Sequence, residues 1–163
     1  MKRVLNLIWG QFLGGRAGWG LLVVRAIFGG ALVLHGLQKM GNPTGWMGPK
    51  APVPGFFQFL AFFSEFGGGL ALLLGLLTPL AALGVIFTMA VATLMAHGAN
   101  PWVAAPGEPS KEAALGYLGV ALLLLLTGPG KLSLDALIFG KLAQVDPKEP
   151  LPNDTLLARP TSS

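Results

Sequence analysis

Apolar residues gather into four long runs, at residues 20–40, 56–77, 79–97 and 113–128, separated by stretches rich in Gly, Pro and charge. Each run approaches the roughly 20 residues an α-helix needs to cross a hydrocarbon core about 30 Å thick. Buried helices of a soluble domain would need long amphipathic partners to cover them, and no other segment supplies one. The runs therefore predict an all-α fold, an integral membrane four-helix bundle over residues 20–140. Gly75, Thr78 and Pro79 at the second junction predict a tight helical hairpin, because Pro cannot continue the preceding helix. Residues 41–55, with four Gly and four Pro, and residues 98–112, with three Pro, predict structured loops outside the membrane.

The flanks add smaller elements. In residues 1–19, Leu5, Ile8, Trp9 and Phe12 follow helical spacing beside Lys2, Arg3 and Arg16, which predicts a short interfacial helix. After the fourth run, Gly128, Pro129 and Gly130 stop the helix, and Ser133 can cap a short interfacial one whose Leu134, Leu137 and Ile138 share a face. Asp135 in its first turn suits that helix's dipole. Residues 141–163 lack apolar periodicity and read as a disordered tail. Lys and Arg cluster at the two termini, whereas the two long loops contribute only Lys50 and Lys111, so both termini are expected to be cytoplasmic.

Composition agrees with this picture. Of 163 residues, 53% are hydrophobic and 11% charged, and the mean hydropathy is +0.65. The net charge of +4 is scattered, with no basic and aromatic stripe for nucleic acid. The absence of cysteine excludes disulfides, thiol relays and Fe–S ligation. Any redox role must borrow a cofactor.

The informative residues are ionisable groups inside the runs, each costing at least ~2.5 kcal/mol at mid-membrane unless paired or hydrated. Arg25 lies about 7 Å into the first run, and His35 about 15 Å further at 1.5 Å per residue. Lys39 follows His35 by one turn. Glu65 falls at a depth between Arg25 and His35 and is within reach of either. A short acid cannot snorkel from there, so it must be protonated, paired or hydrated. Arg25 can pair with Glu65 or snorkel to the headgroups. Lys39 and Glu112 also suit interfacial anchoring, and His97 suits a helix-end role. His35, Lys39, Glu65, His97 and Glu112 can converge in the outer half of one bundle. Gly29, Gly30 and Gly67 to Gly69 would let the first two helices approach closely.

The strings RAIFGGALVLHGLQKMG from Arg25, SEFGGGLALLLGLLTPLAALG from Ser64, His97, and GPGKLSLDAL from Gly128 resemble, in that order, the DoxX family of small bacterial and archaeal membrane proteins. The likeness covers residues 20–140. It implies a multi-pass protein of the bacterial or archaeal cell membrane and places Arg25, His35, Gly36, Lys39, Glu65, Gly68 and His97 on characteristic positions. Pro79 stands where relatives commonly carry Arg. Relatives include DoxD, associated with thiosulfate:quinone oxidoreductase, and others linked to quinone or catechol stress and to membrane oxidoreductase complexes, while many have no assigned activity.

The resulting expectation is a membrane component of a respiratory or stress-related oxidoreductase system that binds a quinone, or a similar lipophilic redox molecule, between its helices. Glu65 and His35 would form the catalytic pair, His35 bonding a carbonyl and Glu65 exchanging protons. Arg25, Lys39, His97 and Glu112 would line the ligand. Electrons would come from a membrane or peripheral redox partner. Haem on His35 and His97 is a weaker reading, because two histidines alone are a poor signal; no metal site is expected. The alternative, compatible with a homo-oligomer, is a non-catalytic assembly or interaction subunit whose buried charges fix helix register.

Overall fold

A computed structural model describes residue 9 and residues 12–51 and 53–143. The expected N-terminal surface helix and disordered tail lie largely outside them. Among the described residues five multi-turn helices follow in order: α1 (Gly15–Lys39), α2 (Gly55–Leu74), α3 (Thr78–Val91), α4 (Glu112–Thr127) and α5 (Leu134–Ala143). Alpha3 continues as a π-helical turn over Ala92–Ala96, where the His97 N–H bonds the Ala92 carbonyl at 2.9 Å.

The helices end where backbone chemistry requires it. Gly75 closes α2 in the left-handed region, φ 64°, and the Leu76 N–H returns to the Ala71 carbonyl at 2.8 Å. Alpha3 opens at Thr78, three residues after Gly75, with Pro79 in its first turn, which completes the expected hairpin. Gly128, φ 72°, and Pro129 stop α4. The Ser133 hydroxyl accepts the Ala136 N–H at 3.1 Å, the expected cap of α5.

Two boundaries differ from the hydropathy reading by three residues or more, and the later of them is the end of α2, at Leu74 instead of residue 77. Alpha1 starts at Gly15 instead of residue 20, because hydropathy marks the apolar span whereas helical hydrogen bonding continues through Arg16 and Trp19. Three helices, Gly15–Lys39, Gly55–Leu74 and Thr78–Ala96, are long and apolar enough to cross a membrane. Alpha4 is apolar but only 16 residues long, about 24 Å at 1.5 Å per residue.

Alpha1 packs most closely on α2, α2 on α3 and α3 on α4, while α1 and α4 touch little. Gly29 and Gly69 set the first contact: a Cβ on either would stand 3.0 Å from the other's carbonyl oxygen. Gly30 meets nothing and Gly68 makes ordinary contact with α3, so only part of the glycine cluster serves close approach. Leu32, Leu72, Val85, Ala121 and Leu124 form the centre of the core. The outer faces carry exposed Ile27, Phe63, Leu80, Phe87 and Leu126, at 61–80% of full accessibility. Water would not tolerate such a continuous apolar surface; lipid does.

The end carrying residues 40–54 and 97–111 is called the loop end below, and the end carrying the α2–α3 hairpin the turn end.

A candidate binding cavity at the loop end

Alpha1 and α2 come closest to the loop end at Gly36, where a Cβ would stand 2.5 Å from Phe66 Cβ. That approach sets the neighbouring Glu65 beside the last turn of α1. Its Oε2 accepts a hydrogen bond from Lys39 Nζ, the one ion pair among the described residues. Glu65 therefore pairs with Lys39, not with Arg25 or His35. The depth estimate put Lys39 a turn too far, but a lysine stem spans about that turn and returns its ammonium toward the bundle. The side chains of Lys39 and Glu65 are 16% and 8% exposed, so both have left bulk solvent.

The loop covers this pair. Lys39 Nζ stands 4.1 Å from the centroid of the Trp46 ring, a cation–π contact. Trp46 Nε1 donates to the Gln58 carbonyl at 3.2 Å. The buried Gln58 side chain accepts the Met47 N–H at 3.1 Å and donates to the Val53 carbonyl at 2.9 Å. One amide thus ties both limbs of the loop to the first turn of α2.

Beneath the loop lies a cavity of about 590 Å³ that opens to the outer face of the bundle, where its wall residues Phe57, Phe87 and Met95 are exposed. Its wall is largely apolar, from Phe57, Leu60, Ala61, Phe87, Val91 and Met95 among others. His35, Lys39, Glu65, Thr88, His97 and Tyr117 bring polar groups to it. The Tyr117 ring meets His35 edge-on, centroids 5.7 Å apart at 89°, and meets Phe28 likewise at 5.7 Å and 87°. Tyr117 is thereby the main bridge between α4 and α1. The π-helical turn of α3 brings Ala92, Met95 and Ala96 to the wall and carries the chain into His97, whose Nδ1 lies 3.1 Å from Asn100 Nδ2.

Two candidates from the sequence fall elsewhere. Arg25 is fully buried at the turn end, where Nη2 donates to the Leu132 carbonyl. It neither snorkels nor reaches Glu65, because the chain after α4 folds back over it. Gly75 makes room for its guanidinium: a Cβ there would lie 1.9 Å from Nη1. Asp135 beside it is fully buried and accepts the Leu77 and Thr78 N–H groups at 2.7 and 2.8 Å. It caps α3, 57 residues away, besides opening its own helix. Glu112 is exposed at the start of α4 and does not line the cavity, although Ala113 and Ala114 do.

Trp46, Gln58 and Tyr117 were not singled out as site residues from sequence. Their signals were faint: Tyr117 is the only tyrosine, inside an otherwise aliphatic run, and Gln58 the only uncharged amide in the second run.

The DoxX family model matches residues 20–98, which contain Arg25, His35, Lys39, Glu65 and His97. "Inner membrane protein YqjF" of Escherichia coli (strain K12) is 36% identical over 129 residues, 73% of this chain and 92% of that protein. The chain belongs to the DoxX family. As a DoxX-family member with three or more apolar helices it is a multi-pass protein of the cell membrane. Tyr117 and Asp135 lie beyond the range matched by the DoxX model. No solved structure matches the chain.

Proposed function

We propose that this DoxX protein is the membrane component of an oxidoreductase system and that its loop-end cavity binds an uncharged lipophilic ring compound of the quinone class. The observation that carries the proposal is the cavity itself: apolar walls around a few polar groups, with a volume of about 590 Å³, inside the roughly 300–1,000 Å³ of small-molecule sites. A quinone would supply two-electron, two-proton redox chemistry. His35 and Tyr117 would contact its ring and oxygens, and the Lys39–Glu65 pair would sit at its edge with no net charge to repel an apolar ligand. Electrons would come from a redox partner protein. In this reading four helices span the cell membrane, α4 spans with the help of flanking residues, both termini are cytoplasmic and the loop end faces outward.

The test is extraction of the detergent-purified protein followed by mass spectrometry for lipophilic cofactors, with Glu65→Gln alongside. A stoichiometric quinone-class molecule, lost in the variant while the helical circular dichroism is kept, is the expected result. A colourless protein holding only phospholipid, the same in both forms, overturns the proposal. It would favour instead an assembly subunit in which the pair sets helix register, a reading consistent with how completely Lys39 is engaged by Glu65 and Trp46.

A further inference from the structure

His97 is held at the cavity through its backbone and through its ring. Its backbone N–H bonds the Ala92 carbonyl at 2.9 Å through the π-helical turn, and its carbonyl accepts the Asn100 N–H at 2.9 Å. The Asn100 side chain then reaches back, Nδ2 lying 3.1 Å from ring Nδ1. As placed, the Asn100 amide turns its NH₂ group to the ring; an NH₂ group only donates, so in this orientation Nδ1 accepts, and a neutral imidazole bonded in this way carries its proton on Nε2. No protein group among the described residues takes Nε2, and His97 lines the cavity.

We infer that Asn100 is a positioning residue that fixes His97 as an Nε2–H donor, and that the cavity thereby favours the carbonyl form of a quinone over its hydroquinone, whose phenolic oxygen is the weaker acceptor and whose O–H would face a donor. This rests on the ligand reading above for the identity of what binds, but not for the state of the ring. The Gln58 amide, by contrast, is spent on the loop. Asn100 touches no ligand itself; it acts through the proton it assigns to His97.

The experiment uses the full chain in detergent. Having only two histidines, it gives two sets of ¹⁵N imidazole resonances, which His35→Gln assigns. At about pH 9, where imidazole is neutral, His97 is expected to show an unprotonated Nδ1 and a protonated Nε2. Asn100→Asp replaces the donor with an acceptor and is expected to move the proton to Nδ1; Asn100→Ala should leave a mixture of tautomers. Duroquinone and anaerobic duroquinol are then titrated. The unaltered protein should bind duroquinone the more tightly, and Asn100→Asp should weaken duroquinone about tenfold, the net worth of one hydrogen bond, while sparing duroquinol. A protonated Nδ1 in the unaltered protein overturns the inference, as does the expected tautomer with equal binding of both probes to both proteins; each leaves the cavity reading standing. Binding of neither probe overturns the cavity reading, and with it the proposed selectivity.

Discussion

Asp135→Ala gives the sharpest test of how the turn end is built. Asp135 is fully buried, and its two carboxylate oxygens accept the first N–H groups of α3. These hold Leu77 in the left-handed region at φ 47°, unusual for a residue with a Cβ. Arg25, equally buried, loses its nearest counter-charge with the same substitution. Each N–H left without a partner costs about 1–3 kcal/mol, and breaking a buried charge arrangement from one side costs about 3–5 kcal/mol. These penalties share one carboxylate and are not additive, and relaxation of Leu77 returns about 1 kcal/mol. The net expectation is about 3–5 kcal/mol, a large part of the roughly 5–15 kcal/mol that holds a typical fold. Reversible unfolding of the detergent-solubilised protein by increasing SDS, followed by circular dichroism, measures it. Arg25→Met should cost less in the Asp135→Ala background than alone, by about 0.5–3 kcal/mol, since the uncompensated cation is then gone. A loss below about 1 kcal/mol for Asp135→Ala, or strict additivity of the two changes, would refute the reasoning.

Two further outcomes follow from the close contacts at the loop end. Gly36→Ala should cost about 1–3 kcal/mol in the same unfolding assay, because the new Cβ would lie 2.5 Å from Phe66 Cβ, whereas Gly30→Ala, facing open space, should be neutral or stabilising. Gln58→Ala removes the two side-chain bonds that tie the loop to α2 and leaves the Trp46 bond to its backbone carbonyl. Trypsin supplied outside intact spheroplasts should then cut after the exposed Lys50 roughly ten times faster; cleavage from the cytoplasmic side alone would contradict the proposed orientation.

Much of the architecture was legible because membranes leave strong marks. The apolar runs, the Gly75 and Pro79 hairpin and the Ser133 cap each follow from local chemistry, and each is found. Glu65 stood out because a buried acid is costly wherever it sits. Lateral neighbours were harder to read. The rise per residue fixes depth along one helix, but the partner of Glu65 depends on how α1 and α2 are offset at Gly36 and on the length of a lysine stem. Arg25 was left to pair with Glu65 or to snorkel, and it does neither, because nothing in α1 reveals that Leu132, 107 residues later, folds back over it. Asp135 looked like a helix-dipole residue for the same reason: its second use, on α3, exists only once the turn end is assembled.

The contrast between the two ends separates structural charge from functional charge. At the turn end the buried polar groups are spent on backbone: Arg25 on Leu132, Asp135 on Leu77 and Thr78, Ser133 on Gly130 and Ala136. Among the described residues Arg25 Nε and Nη1 have no partner, and the guanidinium lies against Gly75. At the loop end Lys39 and Glu65 neutralise each other, but His35, Tyr117 and His97 are arranged around empty space. Holding helices in register calls for packed groups and no cavity, and close packing is what a fold gains from filling space. A bundle that packs Gly29 onto Gly69 and Gly36 onto Phe66, yet leaves a largely apolar cavity of about 590 Å³ beside those contacts, is consistent with the ligand reading proposed above.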